Sequence, residues 1–261
     1  MFKKFIIIII TTLALTLNVG ASSDGELLLK KNNPAEIKDC WEGFNRATFA
    51  FNKGLDKVIF KPVASVYKKL PTPIKGGVSN SLDNLSNLVT IPNNLIQGDL
   101  DLVVQNTGRF IVNTTVGILG FIDVASKIGF PEYVKEDYGQ SLATYGVGPG
   151  CYLVLPVLGP KTARDTVASI TNFVGGDAWY NVTVREDTQY FSDFDYYFSK
   201  ASSGVDFRAK NFDSIENLEE NSIDFYASVK SLYLQDRQQK ILNAKAVVET
   251  QNDNDWEEIE N

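Results

Sequence analysis

Histidine is absent from this 261-residue chain, and cysteine and methionine are scarce. Without an imidazole, the chain cannot form a Ser-His-Asp or Cys-His catalytic centre, a histidine-ligated zinc site or a proximal-histidine haem site. Two cysteines are too few for a four-cysteine zinc site or an iron–sulfur cluster. Because the formal net charge is −7 and no basic stripe is present, we expect no nucleic-acid partner.

The first residues have the pattern of an export signal. Two lysines precede an apolar run over 5–17, and small residues then lead to Ala21, as signal peptidase requires. We therefore predict a signal peptide over 1–21, cleaved after Ala21, and a polar flexible leader over 22–38. The alternative is an uncleaved membrane anchor, although the apolar run is short for a spanning helix.

The two cysteines, Cys40 and Cys151, would lie in a compartment that permits disulfides if the chain is exported. A disulfide requires Cα atoms within a narrow range of distances, which the sequence does not supply. A bridge and a pair of free, partly buried thiols are therefore both open at this point.

A helix with one apolar face is predicted after Asp39. Its apolar residues recur at spacings of three and four, and Pro62 is expected to end it. The residues on this face are Trp41, Phe44, Thr48, Phe51, Leu55 and Val58. The face packs either against a protein core or into a lipid interface, aromatic side down.

Helical patterns occupy most of the remaining chain, so a single mainly α-helical domain over 39–250 is predicted, followed by an acidic disordered tail over 251–261. In the second helix the apolar stripe is Val78, Leu82, Leu85, Leu88 and Val89, with Pro92 breaking or kinking the helix. Gln97-Gly98-Asp99 is expected to stop it and start the next. The predicted helical segments are Pro73 to Ile91, Asp99 to Thr115, Phe121 to Ile128, Pro160 to Phe173, 187–220 and 221–250.

A glycine-rich loop over 145–150 opens onto an apolar run over 151–158. It is not a phosphate-binding loop, because Pro156 lies where such a loop requires a helix to begin. The segment is interpreted either as a buried strand or hairpin, or as a flexible apolar hairpin that enters lipid or gates a cavity.

Carboxylates are the remaining candidates for catalysis or metal binding. Asp123, Asp137, Asp165 and Asp213 lie near apolar segments, but helix capping or pairing with arginine is the commoner role of such residues. No calcium-loop spacing is present. We therefore predict no catalytic residue, no metal site and no cofactor, and a protein that is not an enzyme.

Several short segments, taken in order, resemble the MlaA/VacJ family of Gram-negative outer-membrane lipoproteins. The resemblance covers about Asp39 to Arg237 and is most specific between Gly108 and Asp165. The segments are Glu42 to Arg46 (EGFNR), Gln97 to Asp99 (QGD), Gly108 to Thr114 (GRFIVNT) with Gly117, Gly120 and Asp123, Asp137 to Gln140 (DYGQ), Tyr145 to Gly148 (YGVG), Leu155-Pro156, Leu158 to Pro160 (LGP) and Arg164-Asp165.

The resemblance implies non-enzymatic phospholipid transport. Members of the family form a mainly helical, ring-like domain with amphipathic interfacial helices and a short apolar hairpin, on the periplasmic side of the outer membrane beside trimeric porins. An amphipathic channel takes mislocalised phospholipid from the outer leaflet, and a soluble periplasmic lipid carrier receives it. The alternative is a structural adaptor that binds porin without moving lipid.

The same resemblance implies roles for particular residues. Those assigned to the membrane interface are Trp41, Phe44, Asn45, Phe49 and Phe51. Those assigned to the hairpin that borders the channel are Tyr145, Gly146, Gly148, Gly150, Tyr152, Leu153 and Leu155.

Two departures from the family pattern bear on these expectations. The lipidated cysteine at the signal cleavage site is absent here, so membrane attachment would rest on the interfacial helices and the porin. Cys40 and Cys151 both stand where the family usually has proline, which favours a disulfide that ties the first helix to the hairpin. Such a bridge would restrict motion of the hairpin.

Overall fold

The computed structural model describes residues 37–172, 177–185 and 191–257, with side chains as far as 242. The predicted signal peptide, its cleavage after Ala21 and most of the predicted leader lie outside these residues. At the end of the predicted leader, Ile37 packs against the core and the backbone carbonyl of Lys38 accepts a hydrogen bond from Tyr152. All the described residues belong to one compact unit.

The described chain is mainly helical, which confirms the predicted fold class. The helices are α1 Glu42–Leu55, α2 Lys61–Lys68, α3 Thr72–Gln97, α4 Leu100–Thr115, α5 Val124–Lys127, α6 Tyr138–Thr144, α7 Ala163–Thr171, α8 Ala178–Thr183, α9 Asp193–Lys210, α10 Phe212–Asn221 and α11 Phe225–Glu257. Two strands, β1 Tyr152–Leu155 and β2 Gly159–Thr162, form an antiparallel hairpin between α6 and α7.

Two prolines lie inside helical segments where the sequence predicted breaks. A π-helical turn over Asp56–Phe60 joins α1 to α2, and Pro62 falls in the first turn of α2, where a missing N–H is tolerated. Pro92 lies within α3, which continues to Gln97. The predicted stop after Gln97 is observed, because Gly98 adopts a left-handed conformation and the Asp99 side chain caps α4.

Three other boundaries differ from the prediction. Pro160 was expected in a helix but pairs with Val154 in the hairpin, and α7 begins after Thr162, whose side chain caps it. The segment predicted as one helix over 187–220 is divided at Asn211 into α9 and α10. Helix α11 continues to Glu257, into the range predicted to be a disordered tail, because 251–257 contain no glycine or proline.

The apolar core is small and lies where the hairpin meets α11. Tyr152 and Val154 of β1 pack with Tyr226 and Leu234 of α11, and Ile37 borders this cluster. Alternate residues of β1 point to opposite faces, so Leu153 and Leu155 are only half-buried. The hairpin is therefore a structural element of the core.

A buried ionic network joins α6, α7 and α11. The guanidinium of Arg237 donates hydrogen bonds to Asp137 at 2.6 and 2.7 Å and to Asp165 at 2.8 and 3.0 Å. Tyr233 donates a further hydrogen bond to Asp165 at 2.7 Å. A Cβ atom at Gly139 would lie 2.3 Å from the Asp165 carboxylate, so the close approach of α6 to this network requires glycine. Asp137 and Asp165 therefore serve as partners of arginine.

Candidate functional site

Two asparagines of α1 attach the helix to the hairpin. Asn45 donates to the Tyr152 carbonyl at 3.0 Å and accepts from the Val154 amide at 2.9 Å. Asn52 repeats this pattern on the Leu155 carbonyl and the Val157 amide, at 2.9 and 2.8 Å. Seven residues of helix rise about 10 Å, and three residues of strand span about the same length. The spacing of Asn45 and Asn52 along α1 therefore equals the spacing of the backbone groups that they bind in the segment 152–157.

A disulfide reinforces this attachment. Cys40, next to α1, is bonded to Cys151, next to β1, with a Cα–Cα distance of 5.7 Å. The Tyr152 amide also donates to the Lys38 carbonyl at 2.9 Å. The start of the hairpin is thus held by covalent, side-chain and backbone contacts.

Replacing Asn45 with alanine should lower the free energy of unfolding by about 2 kcal/mol, because the Tyr152 carbonyl and Val154 amide would be left buried without partners. Denaturant unfolding of the purified chain measures this change. Asn221→Ala is a matched control, since Asn221 is an exposed residue whose amide bonds only within its own helix. Equal unfolding free energies for both variants would contradict the structural role of Asn45.

Helices α3 and α4 bury polar residues and expose apolar ones. The buried residues of α3 are Gly77, Ser79, Asn84, Asn87, Thr90, Asn93, Asn94 and Gln97, and those of α4 are Asn106, Arg109 and Asn113. Large apolar side chains lie exposed on the same helices: Leu95, Ile96, Leu100, Val104 and Ile111. This polarity is the reverse of that expected for helices around an apolar core in water.

An open cavity of about 470 Å³ lies between the polar faces of α3 and α4 and the segment over 123–133. Amide, carboxylate and hydroxyl groups predominate in its lining, together with two aromatic rings. The lining residues are Asn80, Asp83, Asn84, Asn87, Arg109, Asn113, Asp123, Ser126, Phe130, Glu132 and Tyr133.

One wall of the cavity is fixed by an ion pair between Arg109 and Asp123. The Arg109 guanidinium donates to Asp123 at 2.9 and 3.0 Å, and Asn113 donates to the same carboxylate at 2.9 Å. Burial alone would raise the pKa of Asp123, but hydrogen bonds from Ser126 and Asn113 and the charge of Arg109 lower it. Asp123 is therefore held as a carboxylate.

A second polar cluster lies between α3 and α6. Glu136 accepts hydrogen bonds from Gln97 and Gln140, and Ser141 donates to Asn93 at 2.7 Å. Burial raises the pKa of Glu136 to about 7, against the opposing effect of these amide donors. The polar interior thus extends beyond the cavity towards α6.

The model of the family described as "MlaA lipoprotein" matches residues 37–240. The chain belongs to this family. The E. coli protein named intermembrane phospholipid transport system lipoprotein MlaA is 37% identical over 158 residues, which cover 59% of this chain and 60% of that protein. Its Haemophilus influenzae counterpart is 30% identical over 228 residues, or 82% of this chain and 83% of the relative.

Two further comparisons agree with membership of the MlaA lipoprotein family. An uncharacterized protein of Rickettsia prowazekii is 36% identical over 203 residues, covering 77% of each chain. A solved structure described under "Structural basis for maintenance of bacterial outer membrane lipid asymmetry" superposes with a TM-score of 0.65 at 30% identity. The match covers 78% of this chain and 99% of that one.

The residues predicted for the membrane interface of this family member divide into two groups. Trp41, Phe44 and Phe51 are 64%, 60% and 56% exposed, as an interfacial role requires. Asn45 is fully buried against the hairpin, and Phe49 packs edge-on against Tyr226 at a centroid distance of 5.4 Å. Asn45 therefore packs inward, away from the exposed side of α1, whereas Phe49 is half-buried and its interfacial role stays a prediction.

The predicted hairpin residues also occupy different environments. Tyr152 lies in the predicted hairpin, as the first residue of β1, and its side chain packs in the apolar core, so contact with a channel stays a proposal. Tyr145 is exposed and its hydroxyl donates to the Ile96 carbonyl at the end of α3. Gly146 and Gly150 adopt positive φ angles of 82° and 66°, which glycine permits. Gly148, Leu153 and Leu155 keep their channel role as a proposal.

Sequence reasoning missed the polar cavity of this chain. A signal was present, because Asn80, Asn84 and Asn87 recur at the spacing of one helical face, as do polar residues 106, 109 and 113. The described residues include no group of three or more cysteine or acidic side chains placed to hold a metal ion. Among the same residues, every helix is too short or too polar to cross a membrane.

Proposed function

We propose that this chain transports phospholipid without catalysing a reaction. In this proposal it removes mislocalised phospholipid from the outer leaflet of the outer membrane and passes it to a soluble periplasmic carrier. The single observation that carries the proposal is the reversed polarity of α3 and α4. The polar cavity would accommodate the headgroup of a passing phospholipid. The exposed apolar side chains would contact its acyl chains, which remain outside.

The energetics of lipid movement require such an arrangement. A phospholipid that leaves a bilayer exposes its acyl chains at a cost of about 0.8 kcal/mol per methylene group. A transporter must therefore supply apolar contact for the tails and polar contact for the headgroup along the same path. Leu100 and Ile111 supply the first, and the asparagines of α3 supply the second.

The apolar exterior continues in the turn after α4. Val116, Ile118 and Leu119 are each about two thirds exposed, and Ile118 and Leu119 have positive φ angles of 54° and 56°. Positive φ angles are sterically costly for residues with branched side chains. In water, the exposure of these apolar side chains would not offset that cost. Together with Trp41, Phe44 and Phe51, this turn would contact the inner leaflet from the periplasmic side.

In this proposal the hairpin is a fixed part of the channel wall and does not move to open or close the channel. The disulfide and the two asparagines of α1 hold β1 against α1, while its apolar face packs against α11. In this proposal membrane attachment rests on the interfacial residues and a trimeric porin, since no cysteine stands at the predicted cleavage site.

An assay of outer-leaflet phospholipid in cells tests the function. The chain would be expressed in a Gram-negative host that lacks its own family member and therefore accumulates phospholipid at the surface. We expect surface phospholipid to fall to the level of the complemented host. Porin binding without any fall would favour the adaptor function and contradict transport.

A further inference from the structure

We propose that the cavity between α3 and α4 is a headgroup site selective for phospholipids that carry an ammonium group, such as phosphatidylethanolamine. This inference rests on the proposed transport function and specifies which lipids the passage favours.

The ionisable residues of the cavity leave an excess of negative charge. Asp83, Asp123 and Glu132 line it, together with Arg109. The charge of Arg109 is matched by Asp123. Among the described residues, no side chain forms an ion pair or hydrogen bond with the carboxylate of Asp83 or Glu132. Two carboxylates therefore remain for a cation that enters the cavity.

Asp83 is well placed to attract such a cation. Its side chain is open to the cavity, yet enclosure by protein raises its pKa, while the positive charges of Lys210 and Lys135 act in the opposite direction. Neither lysine bonds to it, and Lys210 is paired with Asp206. Asp83 is exposed at the cavity mouth, and a carboxylate that the protein partly desolvates without pairing it gains from a cationic ligand.

Buried amides of the lining add hydrogen-bond acceptors. Asn84 and Asn87 are only 4% and 2% exposed, and the amide oxygen of each lacks a partner in the described chain. The amide nitrogens are occupied, that of Asn84 by Thr114 at 2.8 Å and that of Asn87 by the Asp83 carbonyl. An ammonium group offers only donors and therefore complements these oxygens.

The remaining lining suits the other parts of a zwitterionic headgroup. The rings of Phe130 and Tyr133 offer π faces to a cation. The Nε atom of Arg109 is a buried donor without a partner among the described residues, and it complements the ester phosphate that adjoins the ammonium group. An anionic headgroup without an amine would meet two unpaired carboxylates and lose the cationic contacts.

A competition experiment with the purified full chain tests this inference. The chain would be incubated with vesicles containing equal amounts of dioleoyl phosphatidylethanolamine and dioleoyl phosphatidylglycerol, then re-isolated, and its bound lipid quantified by mass spectrometry. We expect phosphatidylethanolamine to be enriched on the order of fivefold. Asp83→Asn should reduce the enrichment to below about twofold, and Asp83→Glu should preserve it.

Matched controls separate this inference from the transport function. Asp236→Asn removes the same charge from an exposed residue of α11 that pairs with Lys240, and it should leave the enrichment unchanged. Equal binding of both lipids, or an enrichment that Asp83→Asn does not alter, would overturn the headgroup site while leaving transport intact. Enrichment that disappears in EDTA would also overturn it, because a divalent cation would then bridge the lipid. Failure to bind either lipid would contradict the proposed function itself.

Discussion

Replacing Arg237 with methionine should lower the free energy of unfolding by about 3 kcal/mol, because the change removes the common partner of the buried Asp165 carboxylate and the partly exposed Asp137 carboxylate. Methionine keeps much of the side-chain volume, so the loss reports charge and hydrogen bonding more than packing. Denaturant unfolding measures the effect. Lys240→Met, at an exposed ion pair on the same helix, should change stability by less than about 1 kcal/mol. Indistinguishable variants would show that the network contributes nothing.

The same network predicts loss of stability in acid. Burial would raise the pKa of Asp165, but the charge and hydrogen bonds of Arg237, the charge of Arg164 and a hydrogen bond from Tyr233 outweigh it and lower the pKa from 3.8 to about 2. Because the folded-state pKa is below the unfolded one, this stabilisation is fully present above about pH 4 and is lost as the pH falls towards 2. The Arg237→Met variant should lose most of this acid-dependent component, because only Arg164 and Tyr233 would still lower the pKa of Asp165. An unchanged acid dependence of the variant would contradict the assignment.

Replacing both Cys40 and Cys151 with serine should lower the free energy of unfolding by about 2–5 kcal/mol, since the bridge restricts the unfolded chain across 111 residues. Unfolding should be followed for the wild-type chain with and without dithiothreitol. Reduction should shift the wild-type transition to that of the double variant and leave the variant unchanged. A wild-type transition that dithiothreitol does not move would show that the bridge is absent or contributes nothing.

The disulfide also bears on how the passage works. With Asn45 and Asn52 it holds β1 against α1, and the apolar face of the hairpin packs against α11. A hairpin that is held on both faces cannot easily move to open or close a channel. Opening and closing would therefore depend on other elements, such as the apolar turn after α4.

Local patterns predicted the helices well but not the environment of their faces. The apolar stripe from Val78 to Val89 correctly indicated α3. In the structure these side chains are half-buried, while the asparagines on the other face are enclosed. Periodicity identifies two faces of a helix but does not say which faces lipid, water or a polar passage.

Long-range contacts were the second kind of feature that the sequence could not supply. Arg237 meets Asp137 and Asp165 from 100 and 72 residues away, and neither partner is implied by local spacing. The cysteine pairing stayed open for the same reason, until the replacement of two family prolines favoured it. By contrast, the stop at Gly98 and the cap at Asp99 depend on neighbouring residues, and both were predictable.

The most direct test of the account is a lipid-transfer assay with a bulky residue placed on either side of α3 and α4. The chain would be reconstituted in vesicles containing labelled phospholipid, and transfer to a soluble acceptor measured. Asn80→Trp places an indole ring at a position that lines the cavity, whereas Val104→Trp places the same ring at an exposed apolar position. With circular dichroism showing both variants folded, we expect Asn80→Trp to reduce the transfer rate at least about tenfold and Val104→Trp to leave it near wild type. Equal rates for the two variants would contradict movement of phospholipid along the polar interior.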